Sequence, residues 1–395
     1  MRVELPEPSA DERAHSERLA ALIRAEIAQA GGALDFARHM ELALYAPGLG
    51  YYSAGATKFG AAGDFVTAPE LGFVFARCLA RALAPELEGG AADRGREVVE
   101  LGPGSGSLAA ELLLELERLD ALPARYRLLE RSADLRARQR ETLQARCTHL
   151  FDRIDWLDAP PAASWQGVLV ANEVIDALPV RAFALREEGL FARCVGVDER
   201  GGFLWIERPA DAQLSTAVEQ IKALSPNSFI VGGEGWVRGR SAYCSEVCTL
   251  LSPWLAEVTR TLERGSAWFI DYGYAHGEYY APARSAGTLR CHWRHRAHDD
   301  PLILPGLQDI TAWVDFDALA CAGEAAGLTV AAHATQAQFL IENGLDEVFA
   351  RAHSQAGGEA ARYALAQQIK RLTLPSEMGE RFRVMKLARK DGAAG

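Results

Sequence analysis

At 395 residues, 49% hydrophobic and 24% charged, the chain has ordinary globular composition, with room for one large domain carrying an insertion or for two domains. Its net charge of -11 argues against nonspecific nucleic-acid binding, and the absence of any run of about 18 apolar residues argues against membrane insertion. The seven cysteines are scattered and odd in number, and the first residues lack an apolar signal core and are acidic for a transit peptide, so a cytoplasmic home is expected.

Leu19, Leu22, Ile23 and Ile27 recur at near-helical spacing and predict a helix over residues 12–30. A second, shorter helix starts near Leu34 and ends before Pro47. The stretch LYAPGLGYYSAGATKFGAAGDFVTAPE, residues 44–70, keeps neither the strand nor the helix period. A long segment so rich in glycine and aromatics is expected to be a functional loop. Residues 71–84 read as helix. From residue 96 strands and helices alternate: REVVEL is a strand, SLAAELLLELERL an amphipathic helix, YRLLE a strand and SADLRARQRETLQ a charged helix. GVLVANEV is nearly all apolar, as suits a strand buried on both faces. FALREEGLFARCVGVDERGGFLWIE predicts two or three antiparallel strands with turns at EEG and ERGG. SAWFIDYG is a further buried strand and residues 316–327 a helix. LTVAAHATQAQFL and RFRVMKLAR are the last strands, with a helix near 355–372 between them.

The stretch VVELGPGSGSLAAELL, from Val98, is a strand, a glycine turn and a helix start. A phosphate-binding loop would need a Lys followed by Ser or Thr after the glycines, and none is present. A nucleophile elbow needs glycines flanking Ser105 at Pro103 and Ser107. The dinucleotide spacing fails because the third glycine comes one residue early. What stands is E-L-G-x-G-x-G: Gly102, Gly104 and Gly106 preceded by Glu100. Bare backbone there admits a ligand with an amino-acid portion, and the upstream acid can counter its ammonium. The next strand ends in Glu130, placed to accept from both hydroxyls of a ribose. S-adenosyl-L-methionine (SAM) carries the ammonium, the carboxylate and the ribose without a phosphate; NAD is the rival, and Glu130 as a solvated strand end is the bland alternative. ANEVIDALPV puts Asn172 and Glu173 directly after a buried strand, at the edge where open sheets hold ligands, with Asp176 one turn on. A carboxylate there can bind a guanidinium in bidentate fashion, or merely cap a helix.

Together these pieces resemble the class I SAM-dependent methyltransferases of the MidA type, which include the complex I assembly factor 7 proteins. The resemblance runs from about residue 15 to residue 388. It is carried by YYSAGATKFGAAGDFVTAPEL (51–71), VELGPGSGSLAAELL (99–113), NEVIDALPV (172–180), FIDYG (269–273), GTLRCHWRHRAHDDPLILPGLQDITAWVDF (287–316) and PSEMGERFRVMKLAR (375–389). Trp313 departs from it, since a histidine often precedes the VDF piece. The resemblance implies an α/β fold: a Rossmann-like seven-stranded sheet with an N-terminal helical and loop extension and an α+β insertion. Residues 1–90 would be the extension with the glycine-rich active-site loop, and 91–180 the first part of the SAM-binding domain. Residues 181–262 would be a substrate-binding insertion, and 263–395 the second part of the methyltransferase domain.

The resemblance also implies that SAM lies against Gly102, Gly104 and Gly106 with Glu130 on the ribose, and that Gly63 and Asp64 stand near the methionine end or the methyl. Asp155 and Trp156 are implied at the adenine. Mitochondrial members assist assembly of respiratory complex I by symmetric dimethylation of an arginine. The implied partner is therefore a protein substrate, with a respiratory-complex subunit as the candidate; a homodimer is left open. For such a reaction Glu173 is the expected guanidinium clamp, Asn172 an orienting hydrogen-bond group that also borders the cofactor, and Asp64 and Asp271 helpers. His295 is a candidate for substrate orientation or proton removal, with a structural role as the alternative.

Other constellations are weaker. The histidines of CHWRHRAHDD (291–300) fit no zinc spacing and are interleaved with arginines, so no metal is expected. Cys244 and Cys248 read as buried thiols, and Lys58 as a solvent-facing residue. Two other function classes remain at this stage: an assembly factor that holds SAM without catalysis, and a methyltransferase acting on a small molecule or RNA. The acidic balance disfavours RNA.

Overall fold

The computed structural model describes residues 5–53, 68–88, 95–224 and 243–389. Seven strands build the central sheet: β1 (Glu97–Leu101), β2 (Arg125–Leu129), β3 (Ile154–Leu157), β4 (Trp165–Asn172), β5 (Leu262–Tyr274), β6 (Leu328–Thr335) and β7 (Phe382–Arg389). Their order is β6-β7-β5-β4-β1-β2-β3. Pairs from β3 to β5 are parallel, and β7 runs antiparallel between β5 and β6. Val314–Asp315 adds a two-residue eighth strand alongside the end of β5.

Alternation along the strands feeds two cores. Val98, Val168 and Val170 face the helices Phe73–Leu87 and Ser107–Arg118, through Leu79, Leu83, Leu108 and Leu112. Val99, Leu169 and Ala171 face the opposite layer, with Leu251, Leu255, Phe316 and Leu319. Both faces are covered, which is why β4 is apolar almost throughout. The sheet order reverses at β1 and β4: β1 leads outward to β2, whereas β4 lies on its other side. Their carboxyl ends therefore open a crevice, the place where open α/β sheets bind ligands.

The N-terminal helix Ala10–Gln29 begins at a Ser9–Glu12 capping box, and Phe36–Tyr45 is capped by Asp35. Leu34 and Asp35, expected to be helical, instead pair with Val195 and Cys194 as a short strand. They thereby join the sheet formed by Arg181–Arg186, Gly189–Val197, Phe203–Pro209 and Tyr243–Val247. The helix Ala212–Leu224 covers that sheet through Leu214, Val218 and Ile221. Cys244 lies on the Tyr243–Val247 strand, so its spacing to Cys248 is not one of a helix, and neither is fully buried. A third sheet, Arg290–Trp293, Arg296–His298 and Asp309–Thr311, occupies the histidine-rich segment. No helix among the described residues is long and apolar enough to cross a membrane.

Candidate active site

The glycine turn leaves β1 through Gly102, Gly104 and Gly106, at φ +59°, +53° and +83°. These left-handed backbones favour glycine, and space demands it as well. A Cβ would meet Val174 Cγ2 at 3.0 Å from Gly102, and Gln139 Cα at 3.3 Å from Gly106. Gly106 is the N-cap of Ser107–Arg118 and offers no side-chain cap; the Ser107 amide donates to the Ser105 hydroxyl oxygen at 3.3 Å, and the next first-turn amides point toward the crevice end of the helix. Ser105 donates its hydroxyl to Glu70, tying the turn to the end of the 68–71 segment. Glu100 is buried beneath the turn and accepts from the Tyr126 hydroxyl at 2.7 Å. Burial raises its pKa to about 7, against the lowering effect of that hydroxyl.

Glu130 follows β2 at the same edge. One carboxylate oxygen accepts from the Ser132 amide at 2.8 Å and the other from Gln139 at 3.4 Å. Gln139 also donates to the Gly104 carbonyl at 3.0 Å and accepts from the Trp156 indole at 2.9 Å. This fully buried glutamine ties together the glycine turn, the acid after β2 and the ring on β3. Its sequence setting, a polar helix, gives no sign of the role. The Arg140 guanidinium lies 4.5 Å from the Trp156 ring centroid. Asp155 precedes Trp156 on the strand and so faces the other way, 3.9 Å from Arg125 Nε. The expected pairing of Asp155 with Trp156 around one adenine is thus not formed.

Carboxylates gather at the ends of β4 and β5. Glu173 has φ +53°, a left-handed value rarely taken by a non-glycine residue, and its amide donates to the Ile270 carbonyl at 2.8 Å. Asn172 Nδ2 donates to Glu173 Oε1 at 3.3 Å. Burial raises the Glu173 pKa to about 8; repulsion from Asp176 and Asp309 adds to this, and the Asn172 hydrogen bond opposes it. Asp271, 1% exposed, accepts from the Ile175 and Asp176 amides at 3.1 and 3.2 Å and from the Tyr272 amide at 3.0 Å. It braces the turn after β4, and its geometry corrects the expectation of a helper facing the substrate. Burial and the neighbouring Asp176 and Glu173 push its pKa well up. Tyr272 donates its hydroxyl to Asp176 Oδ2. Asp176 Oδ1 and Asn172 Oδ1 are buried acceptors with no hydrogen-bond partner among the described residues.

Two elements remote in sequence complete this end. Tyr45 donates to the Ala177 carbonyl at 2.9 Å and Tyr52 to Asp309 at 2.9 Å, with the two rings stacked 5.6 Å apart. Asp309 is 2% exposed, and its cross-strand neighbour is His292. His295 lies elsewhere. With Arg294 it forms the two-residue hairpin turn between Trp293 and Arg296, where both backbones have positive φ and the side chain is exposed. The expectation of a catalytic His295 is corrected: period-2 alternation and the turn carry it off the face of Asp309. Gly63, Asp64 and Lys58 lie outside the described residues. Among those described, no group of three or more His, Cys, Asp or Glu side chains could hold a metal ion.

The glycine cradle, the acid after β2 and the ring on β3 fit a ligand with an amino-acid end, a ribose and a base. Comparison with known proteins agrees. Residues 78–334 match the family described as S-adenosyl-L-methionine-dependent methyltransferases. A Burkholderia thailandensis protein in a crystal structure bound to S-adenosyl-homocysteine is 42% identical, with a TM-score of 0.88 over 98% of this chain and 95% of that one. The protein arginine methyltransferase NDUFAF7, mitochondrial, of Danio rerio is 28% identical over 384 residues, covering 89% of this chain and 83% of the relative. Its Homo sapiens counterpart is 27% identical over 380 residues, covering 89% and 79%. These curated relatives are mitochondrial proteins, which overturns the cytoplasmic expectation drawn from cysteine usage and the first residues. The chain belongs to the MidA and NDUFAF7-like family of class I SAM-dependent methyltransferases, with the Rossmann-like fold of that class and S-adenosyl-L-methionine as its cofactor.

Proposed function

We propose that the protein transfers the SAM methyl group to an arginine side chain of a protein substrate. The observation that carries this reading is the set of carboxylates around Glu173 at the ends of β4 and β5, beside the cofactor crevice. Such a set attracts a cation and supplies acceptors for its N–H groups. The arginine methyltransferase names of the curated relatives support it. A respiratory-complex subunit is the acceptor protein that the family resemblance suggests.

In this reading Gly102, Gly104 and Gly106 hold the amino-acid end of SAM, Glu130 takes the ribose hydroxyls, and Trp156 borders the base. Glu100 acts from beneath, by holding Tyr126 and the strand under the turn. Bound SAM supplies an electrophilic methyl group on a sulfonium. The protein's part is placement and electrostatics. Glu173 holds the guanidinium and localises its charge, so that one nitrogen points along the line of transfer. Asn172 orients it by a neutral hydrogen bond. Each transfer releases one proton from the alkylated nitrogen, and a carboxylate with raised proton affinity, such as Glu173, can receive it.

The test is incubation of the purified protein with labelled SAM and lysate from a strain lacking the gene, followed by mass spectrometry. Label on an arginine of a protein is expected. Label on a small molecule, on RNA or on another residue type overturns the reading, and no label in any fraction favours a SAM-holding assembly factor.

A further inference from the structure

Resting on the arginine reading, we propose that Tyr45 and Tyr52 form the aromatic wall of the acceptor pocket, and that Asp309 is a second carboxylate in it, opposite Glu173. The site would take a planar, delocalised cation, a guanidinium, in preference to an ammonium or a neutral urea of the same shape.

Four observations meet here. Tyr45 is 41% exposed as a residue although its hydroxyl is fixed on the Ala177 carbonyl at 2.9 Å, so its ring is held in place beside the turn that carries Glu173 and Asp176. Tyr52 stacks on Tyr45 and is anchored on Asp309, which fixes the pair as one unit. The Ala312 amide, just past the Asp309–Thr311 strand, donates to the Asp176 carbonyl at 2.9 Å, so the strand that carries Asp309 is fastened to the turn that carries Glu173 and Asp176. Asp176 is 5% exposed, yet its Oδ1 has no hydrogen-bond partner among the described residues, although Tyr272 holds the other oxygen. A buried acceptor left open beside an accessible tyrosine points to a donor that arrives from outside. A guanidinium offers five N–H donors in a plane and a face that stacks on tyrosine. An ammonium offers neither the plane nor the span. The N-terminal segment is therefore part of substrate recognition, although it contributes nothing to the central sheet.

The experiment uses the full chain saturated with S-adenosyl-homocysteine. The probes are Nα-acetyl-arginine methylamide and its lysine and citrulline counterparts, titrated by NMR. The arginine probe is expected to bind about tenfold or more tightly than either counterpart. Tyr45→Leu should weaken it about five- to thirtyfold, and Tyr45→Phe, which keeps the ring, should retain most of the binding. Asp309→Asn should weaken it by a similar factor, with S-adenosyl-homocysteine affinity within about twofold of wild type as the check on folding. Because Tyr45 is accessible, the Leu and Phe pair remains readable even if Asp309→Asn fails to fold. Equal binding of the three probes, or wild-type binding in Tyr45→Leu, overturns the proposal. If mass spectrometry still finds methylated arginine, only this pocket is wrong; if the label sits on another group and the arginine probe does not bind, the arginine reading fails with it.

Discussion

Trp156 donates its indole N–H to the side-chain oxygen of Gln139 at 2.9 Å, and this contact couples β3 to the glycine turn after β1. The coupling is completed by the 3.0 Å bond from Gln139 to the Gly104 carbonyl. Gln139→Ala takes this partner from one donor, the Trp156 indole, and two acceptors, the Gly104 carbonyl and the Glu130 carboxylate, at a cost of about 1–3 kcal/mol for each buried group left unmade. We expect a lowered Tm and SAM affinity weakened about tenfold or more by calorimetry. Unchanged affinity would mean that the turn keeps its shape without this link.

Gly104→Val tests the cradle itself. A β-branched residue at φ +53° is strained before any ligand arrives, and its side chain would project toward the methionine portion. SAM binding should be lost while circular dichroism shows the fold retained. Wild-type affinity in the folded variant would remove Gly104 from the site.

Glu173→Gln keeps the shape and removes the charge. A charge-assisted hydrogen bond is worth roughly 1.5–3 kcal/mol, so turnover of the protein substrate should fall roughly tenfold to a hundredfold with SAM affinity little changed. The pH dependence has a definite sign. With a pKa raised to about 8, the folded protein holds a proton that the unfolded chain releases near the ordinary carboxylate value. This group's contribution to stability therefore falls as pH rises between those two values, while the clamping carboxylate becomes more populated. Wild-type turnover should rise with pH toward the region of about 8, and the glutamine variant should lack that limb. Parallel loss of SAM binding and turnover would instead identify Glu173 as a brace for its turn.

Asp271 and His295 should behave in opposite ways. Asp271→Ala deprives the Ile175, Asp176 and Tyr272 amides of their acceptor, so thermal stability should drop clearly and turnover with it. His295→Ala alters an exposed hairpin turn and should leave turnover within about twofold, as surface substitutions usually do. A large loss of turnover in folded His295→Ala, measured with the same protein substrate, would return that histidine to the site.

Local pattern was enough for the elements that follow one another directly along the chain. The glycine turn announced itself because left-handed backbone at Gly102, Gly104 and Gly106 is a property of the residue itself. The strand ends at Glu130 and Glu173 were legible because an acid directly after an apolar run marks where a buried strand reaches water. The departures arise where local signals are ambiguous. A two-residue strand at Leu34–Asp35 exists only because Val195 and Cys194 come alongside, and no period can be read from two residues. Asp155 and Trp156 were grouped by adjacency, yet alternation along β3 sends them to opposite faces.

The sequence by itself determined the alternation of strands and helices, the glycine turn and the family to which the chain belongs. Only the tertiary structure decided which side chains gather around the turn after β4. Tyr52 reaches Asp309 across 257 positions and Tyr45 reaches Ala177 across 132, and nothing local to either residue encodes the partner. It also decided that Asp271 braces a turn, that His292 and not His295 neighbours Asp309, and that a glutamine in a polar helix links three strand ends. The physical reason is that periodicity and turn chemistry act over one or two turns of chain, whereas the direction of a carboxylate is set by the amides, hydroxyls and charges that packing brings to it.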